Sequence, residues 1–458
     1  MSISPLPPVV APLPFWLRGP FAPVSDELTS DELLVEGELP PALEGFYFRN
    51  GPNPKDGASS HWWFGDGMVH GIRLGGGKAH SYRNRYVRTA RYTGRAVGPE
   101  GDDAAAIRAR RVRGGGTSNT NIIAHGGRLL SLVEAALPVE LTSELATRGP
   151  YDFGGALERP MTAHPKVCPT SGELHFYSYQ AVPPYLTYHV ADRAGNIVAS
   201  RELEVSGPSL MHDFAITADH ALFFDSPARM TRDWGDGMPF TWREGMPARI
   251  GVVSRPGRGP EGVAPRWFEF ASGHLGHTTN AFARGSTLVL EGVRYERFEA
   301  SPPRLYRWEM DLATGATHES AVDAERAIEF PRIDDRRVGL EHRQTYALEL
   351  TEPVDGVPTA AALRRYDHVT GVSELADLAG GRAAGEPVFV PREGRGDDDD
   401  GWVLSLVCDD GRGGSELGIW ESGRFASPPV AKVRLPRRVP FGFHGSWVPM
   451  SAVAPHEG

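Results

Sequence analysis

The chain has 458 residues, a formal net charge of −10, 40% hydrophobic residues and 23% charged residues. That balance supports a large core and excludes global disorder, and the acidic sum excludes nucleic acid as the main partner, because phosphate neutralisation demands clustered Lys and Arg. Two cysteines, Cys168 and Cys408, make neither a disulfide framework nor a CxxC zinc pattern, so a reducing cytoplasm is the default compartment.

Gly 54 and Pro 39 punctuate turns, which points to many short strands rather than long helices. Residues 1–18 form a Pro-rich arm without the positive start of a signal peptide, and residues 19–458 read as one domain. No apolar run approaches the roughly 18 residues that span a bilayer, so any membrane contact would be peripheral, with Pro12-Leu-Pro-Phe-Trp-Leu17 as one contributor or as a segment docked on the domain.

Glu32-Leu-Leu-Val-Glu-Gly-Glu-Leu39 alternates as a strand does, and Pro40-Pro-Ala-Leu-Glu-Gly45 turns it into Phe46-Tyr-Phe-Arg-Asn50. His61-Trp-Trp-Phe-Gly-Asp-Gly-Met-Val-His70 sets three aromatics before a tight turn. Residues 94–116 are small and charged and read as a surface loop, its basic run 108–113 solvated. Order resumes at residues 117–124, and His125-Gly-Gly-Arg128 is a hairpin turn into residues 129–134; a short polar helix is expected at residues 142–147.

Residues 160–296 repeat one design three times: a histidine, a few strand residues, a turn and a β-rich run. His164, His212 and His277 precede turns at residues 169–172, 217–220 and 283–286, with return strands at 174–179, 221–225 and 287–290. The recurrence suggests equivalent positions in successive four-stranded blades of a propeller. Further strands are expected at residues 305–310, 344–350, 387–390, 401–407 and 417–420, and the hairpins count to six to eight blades. The acidic run 397–400 reads as a loop, since its spacing does not match an EF-hand. If the circle closes, the strand at Phe441-Gly-Phe-His-Gly-Ser-Trp-Val448 pairs with residues 33–39 and removes an exposed edge.

His444 in that last strand joins His164, His212 and His277 as histidines on apolar strands, three of the four flanked by glycine, serine, threonine or alanine. Four neutral imidazoles without a carboxylate ligand suit Fe(II), Zn, Cu or Ni, and on a six-coordinate ion they leave two open positions, which favours dioxygen chemistry on iron. The plainer reading of each is a satisfied core histidine. Such ligands donate their other ring nitrogen to carboxylates, and Glu134, Glu329 and Glu386 lie in or beside apolar strands where a lone carboxylate is costly to bury; the alternative is exposed edge positions.

Leu43-Glu-Gly-Phe-Tyr-Phe-Arg-Asn-Gly-Pro-Asn-Pro54, Phe64-Gly-Asp-Gly-Met-Val69, Asn119-Thr-Asn121, Met161-Thr-Ala-His-Pro165, Met211-His-Asp213, His277-Thr-Thr-Asn-Ala281, Glu329-Phe-Pro-Arg-Ile-Asp334, Glu386-Pro387 and Phe441-Gly-Phe-His-Gly445 together resemble the carotenoid cleavage oxygenase family, in order, from about residue 15 to the end. The resemblance implies an all-β, seven-bladed β-propeller with an axial non-haem Fe(II) under a cap of loops and short helices. It implies His164, His212, His277 and His444 as iron ligands, with Glu134, Glu329 and Glu386 orienting three of them and His164 without a glutamate. The family's His-x-x-Asn-Ala spacing favours His277 over His274, and Thr120 matches a threonine that crowds one open iron position in several members.

The implied reaction is cleavage of a conjugated carbon–carbon double bond by O2 into two carbonyl products, on a polyene threaded through an apolar tunnel. Trp62, Trp63 and Phe64 are candidates for its lining, or pack between blades. In the family's stilbene cleavers a lysine precedes the glutamate matching Glu134 and works with a tyrosine on a phenolic hydroxyl; here that position is Val133, with Tyr86 as the candidate tyrosine. A carotenoid or apocarotenoid is therefore favoured over a stilbene. The rival from another class is a non-catalytic propeller scaffold; a zinc hydrolase lacks an HExxH pairing of ligand and base.

Overall fold

The computed structural model describes residues 13–95, 112–134, 136–231, 238, 240–260, 262–298, 300–354, 357–378, 382–394, 399–409 and 413–453. Most of residues 94–116, half of the acidic run 397–400 and the first 12 residues of the arm lie outside them. The strands form seven antiparallel blades around one axis, a seven-bladed β-propeller, plus one hairpin of Ala228–Met230 with Phe240–Trp242. Blade II holds Asn121–His125, Arg128–Leu132, Val139–Leu141 and Thr147–Pro150; blade III holds Lys166–Val167, Leu174–Tyr179, Leu186–Ala191 and Ile197–Glu202. Blade IV runs Phe214–Ile216, His220–Asp225, Ala248–Ser254 and Arg266–Phe270, and blade V runs His274–Arg284, Thr287–Tyr295, Arg304–Asp311 and Thr317–Asp323. Blade VI comprises Ala327–Arg332, Gln344–Val354, Val357–Asp367 and Ser373–Asp377.

The first strands of neighbouring blades touch, so they are the inner ones: Phe214–Ile216 meets His274–Arg284, which meets Ala327–Arg332. Burial follows from that position. Second and third strands lie between two blades and are buried on both faces, as in Leu174–Tyr179 and Leu186–Ala191, whereas the outer strand Ile197–Glu202 alternates in and out. Trp308, Tyr47 and Tyr346 fill the gaps between blades, each at most 1% exposed.

Both ends of the chain complete blades begun by the other. Blade VII is Val388–Pro391 with Arg382–Ala384, then Gly401–Asp409, Gly414–Glu421 and Ala431–Arg434, and its outer strand is the N-terminal Leu34–Gly37. Blade I is Gly45–Pro52, Gly67–Gly75, Lys78–Tyr86 and Thr29–Ser30, and its inner strand is the C-terminal Gly445–Pro449. The expected pairing of Phe441 with residues 33–39 is therefore corrected: Arg49 pairs with Gly445, residues 34–37 pair with 431–434, and Phe441 to His444 precede the strand. The expected helix at 142–147 is a turn, with Leu145 turned inward at φ 65° and 2% exposed, joining two strands of blade II.

The closure explains two of the sequence motifs. Arg49 is buried, donates from Nη2 to the Pro440 carbonyl at 2.6 Å, and lies against Gly51 and Gly442, where any side chain would collide with its guanidinium. Asn50 next to it donates to the carbonyls of Ser118 and Asn121, both at 3.1 Å, and to Ser131 Oγ at 3.0 Å, tying blade I to blade II. Its amide donates to the His444 carbonyl at 3.0 Å, and the Phe443 amide donates back to its carbonyl at 3.2 Å.

Short segments cap one end. The turn Trp62–Phe64 sets Trp62 against Phe443, beside His444, and Trp63 near Phe240 and Phe298, while Phe15 docks on Trp62 and Phe21. The helix Ala90–Thr93 has four residues, and among the described residues no helix is long and apolar enough to cross a membrane. Asn50→Ala strands buried acceptors at the blade I–II junction, so it should lower stability by about 1–3 kcal/mol, read as a lower urea midpoint with an unchanged slope.

Candidate metal centre

Every inner strand brings a polar residue, among others, near its start: Thr120 before that of blade II, His164 in III, His212 in IV, His277 three residues into that of V, Glu329 two residues into that of VI, Glu386 before that of VII and His444 before that of blade I. In Leu275–Thr278 and again after Glu329 the ladder shifts register, which turns His277 and Glu329 out of the regular pleat. The four imidazoles meet on the axis. His164 lies with its ring centroid 4.4 Å from His212, 4.7 Å from His444 and 5.2 Å from His277, and His277 is 4.9 Å from His444. The Nε2 atoms of His212 and His277 are 3.1 Å apart.

Three rings are held from behind by carboxylates. His277 Nδ1 lies 2.6 Å from Glu329 Oε2, His444 Nδ1 lies 3.0 Å from Glu386 Oε1, and His212 Nδ1 contacts Glu134 Oε1. With Nδ1 engaged, the lone pair of Nε2 is the one left to face the axis. Each carboxylate is itself satisfied. The Tyr179 hydroxyl donates to Glu134, the Tyr295 hydroxyl (2.5 Å) and the Phe330 amide (2.7 Å) to Glu329, and Arg332 (3.2 Å) and the Gly445 amide (2.8 Å) to Glu386. Burial alone would raise the carboxyl pKa values, but the adjacent His277 holds Glu329 at about 2, and His444 with Arg332 holds Glu386 at about 2.

His164 differs. Its Nε2 is buried and makes no hydrogen bond, and Glu134 Oε1 lies 3.9 Å away. Burial and then the neighbouring imidazoles hold it well below the ordinary histidine range, so it stays a neutral donor. An orphaned buried ring nitrogen facing three imidazoles fits a cation among them, and four nitrogen donors with no carboxylate closer in fit Fe(II), Zn, Cu or Ni. Phe330 stacks on His277 at 5.0 Å and 27°, with its backbone at φ 51°.

Thr120 lies beside His444, whose amide donates to its carbonyl at 3.2 Å, and its Oγ1 donates to Asn119 Oδ1. Trp63, Phe240, Phe298 and His274 form an aromatic wall that reaches Tyr295 and so Glu329. His274 is outside the axial group: it is buried, its Nδ1 is 3.0 Å from Ser226 Oγ, and burial takes its pKa to about 3. Trp62 packs on Phe15, Phe21, Phe441 and Phe443, and Phe64 faces His61. Val133 lines a cavity of about 360 Å³ with Ser118, Ala136 and Leu137. Tyr86 does not line it: the residue is 4% exposed beside Val24 and Met68, and its hydroxyl donates to the Val24 carbonyl at 3.1 Å and accepts from Asn53 at 2.6 Å.

The family model described as retinal pigment epithelial membrane protein matches residues 21–449, and a carotenoid cleavage oxygenase of Mycobacterium tuberculosis is 36% identical over 95% of this chain and 97% of its own length. The chain belongs to the carotenoid cleavage oxygenase family. Within that family it is 33% identical to carotenoid 9,10(9',10')-cleavage dioxygenase 1 of Arabidopsis thaliana, over 94% of this chain and 89% of the relative. Among solved structures it is similar to a Pseudomonas brassicacearum lignostilbene dioxygenase, with a TM-score of 0.84, 28% identity and coverage of 96% of this chain and 100% of the other. A variant of Synechocystis apocarotenoid oxygenase gives a TM-score of 0.83 at 26% identity, covering 95% and 98%.

Several residues that serve the centre of this oxygenase carry no signal of their own in the sequence. Asp213, next to His212, is 3% exposed, pairs with Lys166 at 2.8 Å and accepts from the amide and hydroxyl of Thr278, both at 2.8 Å, so it locks the His212 and His277 segments together. Only its place in Met-His-Asp hinted at it. Asp213→Ala leaves Lys166 and Thr278 unpaired, and should lower stability by about 3 kcal/mol, toward the low end for a broken buried pair because the Lys166 side chain keeps some water; urea denaturation measures it.

Proposed function

We propose that this protein is a non-haem Fe(II) oxygenase that cleaves one conjugated C=C bond of a carotenoid or apocarotenoid with O2, giving two carbonyl products. The observation that carries the reading is the set of four imidazoles turned inward on one axis, three of them tied at Nδ1 to carboxylates, of which Glu329 and Glu386 are buried and Glu134 is partly buried. Relatives named for carotenoid cleavage support the substrate class. Fe(II) held by His164, His212, His277 and His444 supplies the binding of dioxygen and the electron exchange that the reaction needs.

The chain does the rest. Glu134, Glu329 and Glu386 fix the tautomer and aim of three ligands. Trp63, Phe240 and Phe298 bind the polyene by its faces and exclude water, and Thr120 narrows access at the one axial position occupied by neither histidine nor glutamate. The apolar Val133 offers no charge to a phenolic hydroxyl, and with the Tyr86 hydroxyl committed elsewhere the stilbene reading loses both of its polar contacts. Substrate dissolved in lipid enters through peripheral membrane contact at the cap, where Leu13 is 61% exposed while Phe15 and Trp16 dock against Trp62 and His61.

The Fe(II)-loaded protein, given an apocarotenal and resveratrol in parallel, should yield aldehydes from the apocarotenal by mass spectrometry; cleavage of the stilbene alone overturns the substrate assignment. His444→Gln should abolish both turnover and retained iron, and iron-free wild-type protein would favour a scaffold. Glu329→Gln should weaken Fe(II) retention by about 10–100-fold, measured by competition with a chelator.

A further inference from the structure

Away from the axis, Glu291, His342 and His368 bring three ligand atoms within 4.8 Å of one another at the junction of blades V and VI. Glu291 stands in Thr287–Tyr295, His342 lies just before Gln344–Val354, and His368 directly follows Val357–Asp367. Two of them are buried, Glu291 1% and His342 6% exposed, and His368 is partly buried. We propose that these residues, with the Thr345 hydroxyl, form a second metal site that takes a four-coordinate divalent cation of the zinc class and fastens blade V to blade VI.

The first support is an imbalance of donors and acceptors. Arg307 Nε donates to Glu291 Oε1 at 2.8 Å and its Nη2 contacts the same oxygen. That leaves Glu291 Oε2 buried and accepting no hydrogen bond. His342 Nε2 lies 3.3 Å and His368 Nε2 3.8 Å from this oxygen. Both ring nitrogens also face Thr345 Oγ1, at 3.1 and 2.8 Å, whose single proton serves only one of them. Asn280 Nδ2 lies 3.2 Å from His342 Nδ1 and gives its protons to the carbonyls of Arg337 at 3.1 Å and Leu340 at 2.7 Å. Asn280 Nδ2 can only donate, so His342 Nδ1 accepts, its Nε2 proton serves Thr345 Oγ1 and the Thr345 proton serves His368 Nε2, and Glu291 Oε2 is the acceptor left at the centre without a proton.

The second support is shape. A tetrahedral zinc site with ligand distances of about 2.0–2.1 Å has ligand-to-ligand edges of about 3.3 Å. The four separations on the page, 2.8, 3.1, 3.3 and 3.8 Å, straddle that length. The donor set of two imidazoles, one carboxylate and one hydroxyl is hard enough for zinc and leaves no ligand position for a substrate, so the role is structural. Arg307 orients the carboxylate through its other oxygen, as carboxylate ligands require. Burial lowers the pKa of both imidazoles, that of His342 to about 4, so both are neutral at neutral pH, as metal ligands must be.

The test uses the full chain loaded with Fe(II), then equilibrated with Zn(II) and washed. Wild-type protein should hold close to one equivalent of zinc that Glu291→Gln and His368→Gln lose at least tenfold in affinity, while their iron content matches wild type. An anomalous-scattering map of wild-type crystals at the zinc edge should place a peak between Glu291 and His342, and it decides the matter if the variants do not fold. Equal zinc content in wild type and variants, or a peak confined to the four axial histidines, overturns the proposal. Loss of iron from His444→Gln with the Glu291 peak intact tests the axial centre separately.

Discussion

Three carboxylates sit in the middle of a ring of strands, two of them buried and Glu134 partly so, and a charge there survives only where donors surround it. Glu134, Glu329 and Glu386 each face an imidazole on one side and a tyrosine, an arginine or a backbone amide on the other. That pairing turns three histidines by their Nδ1 atoms and leaves the opposite nitrogen of each toward the axis. The chemistry of the centre therefore depends on charge balance a layer further out, in Tyr179, Tyr295 and Arg332, as much as on the histidines.

The propeller supplies the geometry by repetition and then departs from it. Seven inner strands arrive at one axis, yet the ladder is irregular at His277 and Glu329, and Phe330 takes a left-handed backbone to lay its ring on His277. His164, the ring with no carboxylate behind it, is instead enclosed by the other three. The symmetry of the fold gathers the groups, and local breaks in that symmetry aim them.

Much of this was legible in the residues. The turns at 169–172 and 283–286 end in glycines that adopt φ 73° in Gly172 and φ 60° one residue earlier in Gly285, so the strand boundaries were readable. A spacing of five or six residues from histidine to turn exposed three of the four axial positions. Pairings across the chain were not readable: nothing local says that Glu134 in blade II reaches His212 in blade IV, or that residues 445–449 choose 45–49 over 34–37. Residues 142–147 looked helical because they are small and polar without a strand period, and tertiary burial of Leu145 decided otherwise. Tyr86 looked free because its partners, Val24 and Asn53, lie far from it in sequence.

The double closure bears on the order of events at synthesis. Domains form from the N-terminus as the chain emerges, yet the inner strand of blade I and the fourth axial histidine follow the strands of all the other blades in the chain. Six blades can assemble while blade I still has an open inner edge. A cation cannot be fully enclosed until residues 445–449 pair with 45–49 and His444 arrives, so the centre is completed only after the other six blades have been made.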